Sequence, residues 1–119
     1  MTVLIVDDNA GMRRLLRRAV LDAASAVWEC LDGEEALTAY TDRRPDVVLM
    51  DIRMPGMDGL AATRQIRKFD PGARVVMVTD YDDDDLRKAA SEAGACGYAL
   101  KQNLTDLSGL IRSINNEAK

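Results

Sequence analysis

Hydrophobic and polar positions form five successive units along the chain, each pairing a short apolar run with a longer segment of helical periodicity. The apolar runs are rich in β-branched residues and mostly lack strict alternation, which is typical of parallel strands buried on both faces. They span residues 2–6, 26–30, 46–50, 74–78 and 97–100. The pattern predicts a doubly wound α/β fold of the (βα)5 type, with a five-stranded parallel sheet and helices on both faces. No break in composition divides residues 1–119, so we expect one domain.

The segment between the first two strands has the periodicity of an amphipathic helix. Its predicted buried face carries Met12, Leu15, Leu16, Ala19, Val20 and Ala23. The opposite face carries Arg13, Arg14, Arg17 and Arg18. These arginines indicate a solvated helix face, and the less favoured alternative is a docking surface for an acidic partner.

Turn and capping signals indicate where later elements begin and end. Pro55-Gly56 and Asp58-Gly59 predict the loop before the third helix. The acidic run at residues 82–85 predicts the start of the fourth helix, because carboxylates in a first turn interact favourably with the helix dipole, and Gly94 predicts its end. The less favoured interpretation of the acidic run is an interaction patch. The final helix is predicted to bury Leu104, Leu107, Leu110, Ile111 and Ile114.

The composition narrows the classes of function. With 47% hydrophobic and 30% charged residues, the chain has the balance of a soluble globular domain, and it has no apolar run of membrane-spanning length. The net charge of -4 argues against direct nucleic acid binding by this domain. Cys30 and Cys96 lack the close spacing of a metal site, so we expect reduced, partly buried thiols. The N-terminus carries no secretion signal, and a cytoplasmic location is expected.

Polar residues follow four of the five predicted strands. Asp7 and Asp8 come after the first strand, Asp51 after the third, Thr79 after the fourth and Lys101 after the fifth. Because the carboxyl ends of parallel strands meet at one edge of a sheet, we expect these five side chains to converge there. Each of them taken alone is more simply explained as an exposed strand end, but the set together indicates a site.

The chemistry of this set suits phosphoryl transfer. Three neighbouring carboxylates repel one another unless a cation holds them in their charged form, and Mg²⁺ fits because it prefers oxygen ligands. Lys101 can neutralise an incoming phosphate, and the Thr79 hydroxyl can donate a hydrogen bond to it. Asp51, on the central strand, is the predicted nucleophile.

Four segments, residues 3–8, 48–59, 78–79 and 97–101, resemble the response regulator receiver family of two-component signalling systems. The resemblance implies the strand order 2-1-3-4-5 and makes Asp51 the phosphoryl acceptor. It implies that Asp8, Asp51 and the backbone carbonyl of Arg53 bind Mg²⁺ directly, and that Asp7 acts through a metal-bound water. Thr79 and Lys101 would contact the phosphoryl group, and Tyr98 would swing inward as Thr79 moves.

The resemblance also implies partners. The donor would be a phosphohistidine on a histidine kinase or phosphotransfer protein, and this chain contains no histidine. Phosphorylation would alter the surface of the fourth helix, fifth strand and fifth helix, and so act on an output domain, an effector protein or a second copy in a homodimer. The chain would be a switch that catalyses its own phosphorylation and slow dephosphorylation, and not an enzyme with an external substrate.

Several positions depart from the family pattern. Gln102 replaces a proline that many relatives carry after the lysine, so we expect a trans peptide bond there. Asp80 places a further negative charge near the approach path of an anionic donor. Arg53 and Tyr81 occupy variable positions that influence, in the family, how water reaches the aspartyl phosphate.

Three alternative functions stay open at this point. A Mg²⁺-dependent phosphatase or phosphotransferase with an aspartyl phosphate would usually carry an acid two residues after the nucleophile, where this chain has Arg53. A receiver-like binding module that is never phosphorylated is disfavoured by the intact set of polar residues. A flavodoxin-like cofactor carrier would have a phosphate loop rich in Gly, Ser and Thr, where this chain has Asp7 and Asp8.

Overall fold

The computed structural model describes residues 1–117. Five strands and five helices alternate along the chain: β1 (Thr2–Val6), α1 (Ala10–Val20), β2 (Ala26–Cys30), α2 (Gly33–Arg43), β3 (Val47–Met50), α3 (Gly59–Phe69), β4 (Val75–Thr79), α4 (Asp84–Ala93), β5 (Gly97–Leu100) and α5 (Leu107–Glu117). All strand pairs are parallel, and the sheet has the order β2-β1-β3-β4-β5. The predicted fold class and strand order are confirmed. Within residues 1–117, no helix is both long and apolar enough to cross a membrane.

The three central strands are buried on both faces, which explains their unbroken apolar sequences. One face of the sheet packs against α2, α3 and α4, where Tyr40, Ile66 and Ala90 contribute to a continuous apolar cluster. The other face packs against α1 and α5, with Leu16 and Ile111 in a second cluster. The strand ends are thereby held at one edge of a rigid layered structure.

Short polar side chains begin four of the helices, as N-caps commonly do. Each accepts a hydrogen bond from a backbone N–H in the first turn, and the four are Asn9, Asp32, Asp58 and Asp83. The acidic run therefore begins α4, as predicted. Gly94 ends α4 with a φ of 103°, a left-handed conformation that suits glycine.

Two strands differ from the prediction by one residue, β3 at its start and β4 at both ends. β3 begins at Val47, and Asp46 just before it bonds to Thr2 twice: its carboxylate accepts from the Thr2 N–H at 2.7 Å and its own N–H donates to the Thr2 carbonyl at 3.0 Å. β4 runs from Val75 to Thr79, because Thr79 pairs with Leu100 of β5. Thr79 is thus the last residue of a strand and does not follow it.

Three other expectations need correction. Leu15, predicted to be buried, is 49% exposed, while Leu16 and Val20 of the same helix are in the core. Ala23 and Leu104 lie outside the helices to which they were assigned. Both cysteines are free, but Cys96 is exposed and only Cys30 is buried. The peptide bond before Gln102 is trans, as predicted, and no cis bond occurs among the described residues.

Candidate functional site

Backbone hydrogen bonds continue the sheet just beyond its carboxyl edge and bring the predicted residues together. The Asp51 N–H donates to the carbonyl of Val6 at 2.9 Å, and the Lys101 N–H donates to the carbonyl of Thr79 at 2.8 Å. Asp7 is joined to β2 by a hydrogen bond of 3.2 Å from its N–H to the carbonyl of Cys30. The residues after β1, β3 and β5 therefore have defined positions relative to one another.

Lys101 bridges two buried carboxylates at this edge. Its Nζ atom lies 2.9 Å from Asp7 Oδ2 and 3.1 Å from Asp51 Oδ1. Asp7 has no exposed surface, Asp51 is 6% exposed, and only 10% of the Lys101 side chain is exposed. Asp8, next to them, is exposed to solvent. Asp7 and Asp51 are thus shielded from solvent, and the site is accessible from the side of Asp8.

Burial and charge perturb the titration of this site. Burial, reinforced by the neighbouring charge of Asp7, raises the pKa of Asp51 to about 6, and Lys101 offsets part of that rise. Burial alone would lower the pKa of Lys101, but its hydrogen bond with Asp7 and the charges of Asp51 and Asp7 outweigh burial and raise that pKa. Lys101 is therefore held in its charged form, while Asp51 is costly to ionise.

The acidic cluster has the properties of a site for a divalent cation. One carboxylate oxygen from each of Asp7, Asp8 and Asp51 lies within 4.8 Å of the others. Three carboxylates and one ammonium leave a net charge of about −2, which a divalent cation balances, and oxygen ligands are those that Mg²⁺ prefers. Asp7 Oδ2 is buried and lies 2.9 Å from the Lys101 ammonium, and a carboxylate oxygen has further lone pairs with which it can interact with a bound ion or its water. The residues present fit Mg²⁺.

Gly59 allows the start of α3 to approach the backbone of Asp51. A Cβ atom at this position would lie 1.9 Å from the carbonyl oxygen of Asp51, far inside contact distance. The Gly59 N–H donates to the carbonyl of Ile52 at 2.8 Å. The sequence predicted Gly59 only as a turn residue; its role in positioning Asp51 depends on how α3 packs.

Thr79 and Tyr98 lie on the side of the site formed by β4 and β5. Thr79 is 2% exposed, and its Oγ1 accepts a hydrogen bond of 3.4 Å from the Tyr81 N–H. Tyr98 is half-buried, and its hydroxyl donates to the Tyr81 carbonyl at 2.6 Å. Both side chains therefore contact the loop between β4 and α4, which connects the site to α4.

Two arginines stack on Tyr98 and Tyr81, and nothing in the sequence indicated these contacts. The guanidinium of Arg87 lies 4.4 Å from the ring centroid of Tyr98, and that of Arg53 lies 4.6 Å from the ring centroid of Tyr81. Arg87 also pairs with Asp82 at 3.0 Å. These contacts hold the β4–α4 loop between the β3–α3 loop and β5. No sequence spacing predicts the two stacked pairs, because each arginine and its tyrosine come from different units.

The chain belongs to the response regulator receiver domain family, whose model matches residues 3–112. It is 42% identical over 99 residues to the chemotaxis protein CheY of Halobacterium salinarum, and the match covers 83% of this chain and 82% of that protein. It is 41% identical over 103 residues to the response regulator GacA of Pseudomonas viridiflava, covering 83% of this chain and 47% of GacA. A match to the DNA-binding transcriptional regulator NtrC of Klebsiella pneumoniae is 42% identical over 97 residues, with 82% of this chain but only 21% of NtrC covered. The chain thus spans less than half the length of GacA or NtrC.

Solved structures agree with this assignment. A two-component response regulator of the LuxR family from Aurantimonas sp. SI85-9A1 superposes with a TM-score of 0.91 at 33% identity, covering 98% of this chain and 85% of the other. A CheY-like response regulator receiver domain protein from Methanospirillum hungatei JF-1 has a TM-score of 0.89 at 26% identity, covering 98% and 94%. The predicted family is confirmed, and the roles of individual site residues stay predictions.

Proposed function

We propose that the chain is a phospho-accepting receiver of a two-component system, in which Asp51 accepts a phosphoryl group in a Mg²⁺-dependent reaction. The observation that carries this proposal is the buried Lys101 ammonium, which contacts Asp7 and Asp51 at once beside the exposed Asp8. This arrangement combines a nucleophile, a fixed positive charge and an acidic cluster that fits a divalent cation. Membership of the receiver family supports the same reaction.

In the proposed transfer, a carboxylate oxygen of Asp51 forms a bond to phosphorus while the bond from phosphorus to the donor imidazole nitrogen breaks. The imidazole leaves with the electron pair and takes up a proton. Asp8 and Asp51, with the Arg53 carbonyl, would hold Mg²⁺ directly and Asp7 would act through a water, and the bound ion would supply charge neutralisation at the phosphoryl oxygens. Lys101, 3.1 Å from Asp51 Oδ1, would form an ion pair with the phosphoryl group once Asp51 carries it.

Thr79 and Tyr98 are the proposed switch residues. The Thr79 hydroxyl would donate to a phosphoryl oxygen, and its movement would release Tyr98 from the β4–α4 loop, to which the Tyr98 hydroxyl now donates. Beside Tyr98 lies a groove of about 320 Å³, lined by residues of α4, β5 and α5 such as Arg87 and Leu110. A change in this surface would carry the signal to an output domain, an effector protein or a second copy. As with GacA and NtrC, this domain would act within or upon a larger regulator, and it would not bind nucleic acid itself.

The test is covalent loading of Asp51. Incubation with acetyl phosphate and Mg²⁺, followed by intact-protein mass spectrometry, should show one added phosphoryl group. The addition should be absent in Asp51→Asn, absent with EDTA, and strongly reduced in Lys101→Ala. Equal uptake by the wild type and Asp51→Asn would refute the assignment of the acceptor. Exposure to a panel of phosphorylated histidine kinases would then identify the donor protein.

A second candidate, a phosphatase acting on external phosphoesters, is less well supported. Such a phosphatase would carry a carboxylic acid two residues beyond Asp51. Arg53 occupies that position here, and its guanidinium stacks on Tyr81. We therefore propose that the chain is a cytoplasmic switch and not an enzyme with an external substrate. Multiple turnovers of p-nitrophenyl phosphate per minute, lost in Asp51→Asn, would favour the phosphatase instead.

A further inference from the structure

One arginine of α1 contacts the backbone of the acidic loop that follows β1. Arg13 Nη1 donates a hydrogen bond of 2.7 Å to the carbonyl oxygen of Asp7. The Nε atom of the same guanidinium lies 3.0 Å from Glu29 Oε1 on β2, and only 14% of the Arg13 side chain is exposed. Because a guanidinium has donors in fixed directions, it can hold both partners in one geometry.

The bonded carbonyl belongs to the peptide unit that joins Asp7 to Asp8, so its orientation affects the position of both carboxylates. Other bonds fix the neighbouring atoms: the Asn9 N–H donates to Asp7 Oδ1 at 2.8 Å, and the Asn9 side chain caps α1. Arg13 connects this peptide unit to Glu29 on β2, because the same guanidinium contacts both. It thereby links the metal-binding loop to the edge strand of the sheet.

Arg17, one helical turn further along α1, provides an internal comparison. It also contacts Glu29, at 2.7 Å, and donates a longer hydrogen bond of 3.3 Å to the carbonyl of Val27. Its side chain is 43% exposed. Among residues 1–117, Arg17 makes no hydrogen bond to the acidic loop. The two arginines therefore carry the same charge and share one acidic partner, but only Arg13 holds the Asp7 carbonyl.

We propose that Arg13 is a positioning residue of the divalent metal site, holding the peptide between Asp7 and Asp8 so that both carboxylates can serve one Mg²⁺ ion. Glu29 keeps Arg13 in place. This role rests on the proposed function only in that Asp7, Asp8 and Asp51 bind Mg²⁺. A purely electrostatic effect has the opposite sign, because removal of a positive charge near an acidic cluster strengthens cation binding. Weaker Mg²⁺ binding without Arg13 therefore separates positioning from charge.

The experiment is a Mg²⁺ titration of the full chain, followed by the amide NMR signals of the loop after β1 and of Asp51. Arg13→Ala should raise the dissociation constant for Mg²⁺ about tenfold, as for other residues that orient metal ligands. Arg17→Ala, matched in charge, should stay within about twofold of the wild type or bind more tightly. Arg13→Lys keeps the charge without the planar fork and should also bind Mg²⁺ more weakly than the wild type.

The outcomes separate this role from the metal site itself. Mg²⁺ binding by Arg13→Ala that is unchanged or tighter would overturn the positioning role and leave the proposed function standing. A wild-type protein whose loop signals do not respond to Mg²⁺ would overturn the metal site, and the role of Arg13 with it. If Arg13→Ala does not fold, Arg13→Lys carries the test, because it keeps the charge and removes only the planar fork that holds both partners. An unaltered dissociation constant in Arg13→Lys would then overturn the role.

Discussion

Removing the charge of Asp51 should stabilise the metal-free protein at neutral pH. Burial and the nearby Asp7 raise the pKa of Asp51 from 3.8 to about 6, so ionisation of this carboxylate lowers the free energy of unfolding. At about 1.4 kcal/mol per pH unit, this rise corresponds to roughly 3 kcal/mol of destabilisation. Asn at position 51 has nearly the same shape and no charge. We expect Asp51→Asn to increase the free energy of unfolding by about 1–3 kcal/mol at pH 7.5 in EDTA.

The pH dependence has a defined sign. Below pH 3.8 Asp51 is protonated in both states, so its ionisation costs the folded state nothing. Between 3.8 and about 6 the folded state holds a proton that the unfolded state has lost, and the wild type loses stability as pH rises. Above about pH 6 the destabilisation is complete. The stability difference between Asp51→Asn and the wild type should therefore grow between pH 4 and 6 and then level off.

Urea unfolding followed by far-UV circular dichroism at several pH values measures this difference, provided that the denaturant slope is equal for both proteins. Asp80→Asn is the control, because it removes an equal charge from an exposed residue and should change stability by less than about 0.5 kcal/mol. Mg²⁺ should stabilise the wild type more than Asp51→Asn. A variant no more stable than the wild type at pH 7.5 in EDTA would show that the site does not impose this cost on Asp51.

Three further substitutions test packing beside the site, in α5 and in the interior of α3. Gly59→Ala should destabilise the fold by about 2 kcal/mol or more and abolish phosphorylation, because its Cβ would lie 1.9 Å from the Asp51 carbonyl. Gly109→Ala, in α5, should stabilise by about 0.5–1 kcal/mol, because beyond its own helix no described residue has an atom within 4 Å of the added Cβ. Similar urea midpoints for Gly59→Ala and Gly109→Ala would contradict this contrast. Thr63→Val should stabilise by about 1 kcal/mol, because the fully buried Thr63 Oγ1 has no hydrogen-bond partner within residues 1–117. A lower thermal midpoint for Thr63→Val, with Thr63→Ala as the cavity control, would indicate that this hydroxyl is satisfied in solution.

The arginines of α1 show where helical periodicity stops being informative. The pattern correctly set Arg14 and Arg18 on an exposed face, but Arg13 and Arg17 pair with Glu29 on β2. Neither interpretation of these arginines, as a solvated helix face or as a docking surface, predicted the pairing with Glu29. Periodicity describes one helix, whereas the pairing depends on the distance between α1 and β2 after both have packed.

The sequence by itself determined the class of fold and which polar residues meet at the carboxyl edge of the sheet. Apolar runs, helical periodicity and capping residues are local signals, and parallel strands necessarily bring the residues after them to one edge, as Asp7, Asp51 and Lys101 show. Only the tertiary structure decided which groups touch: the double contact of Lys101, the close approach of Gly59 to Asp51, and the bond from Arg13 to the Asp7 carbonyl. These contacts join segments far apart in the chain. Their distances follow from side-chain packing between layers, and that information is not present in any single segment.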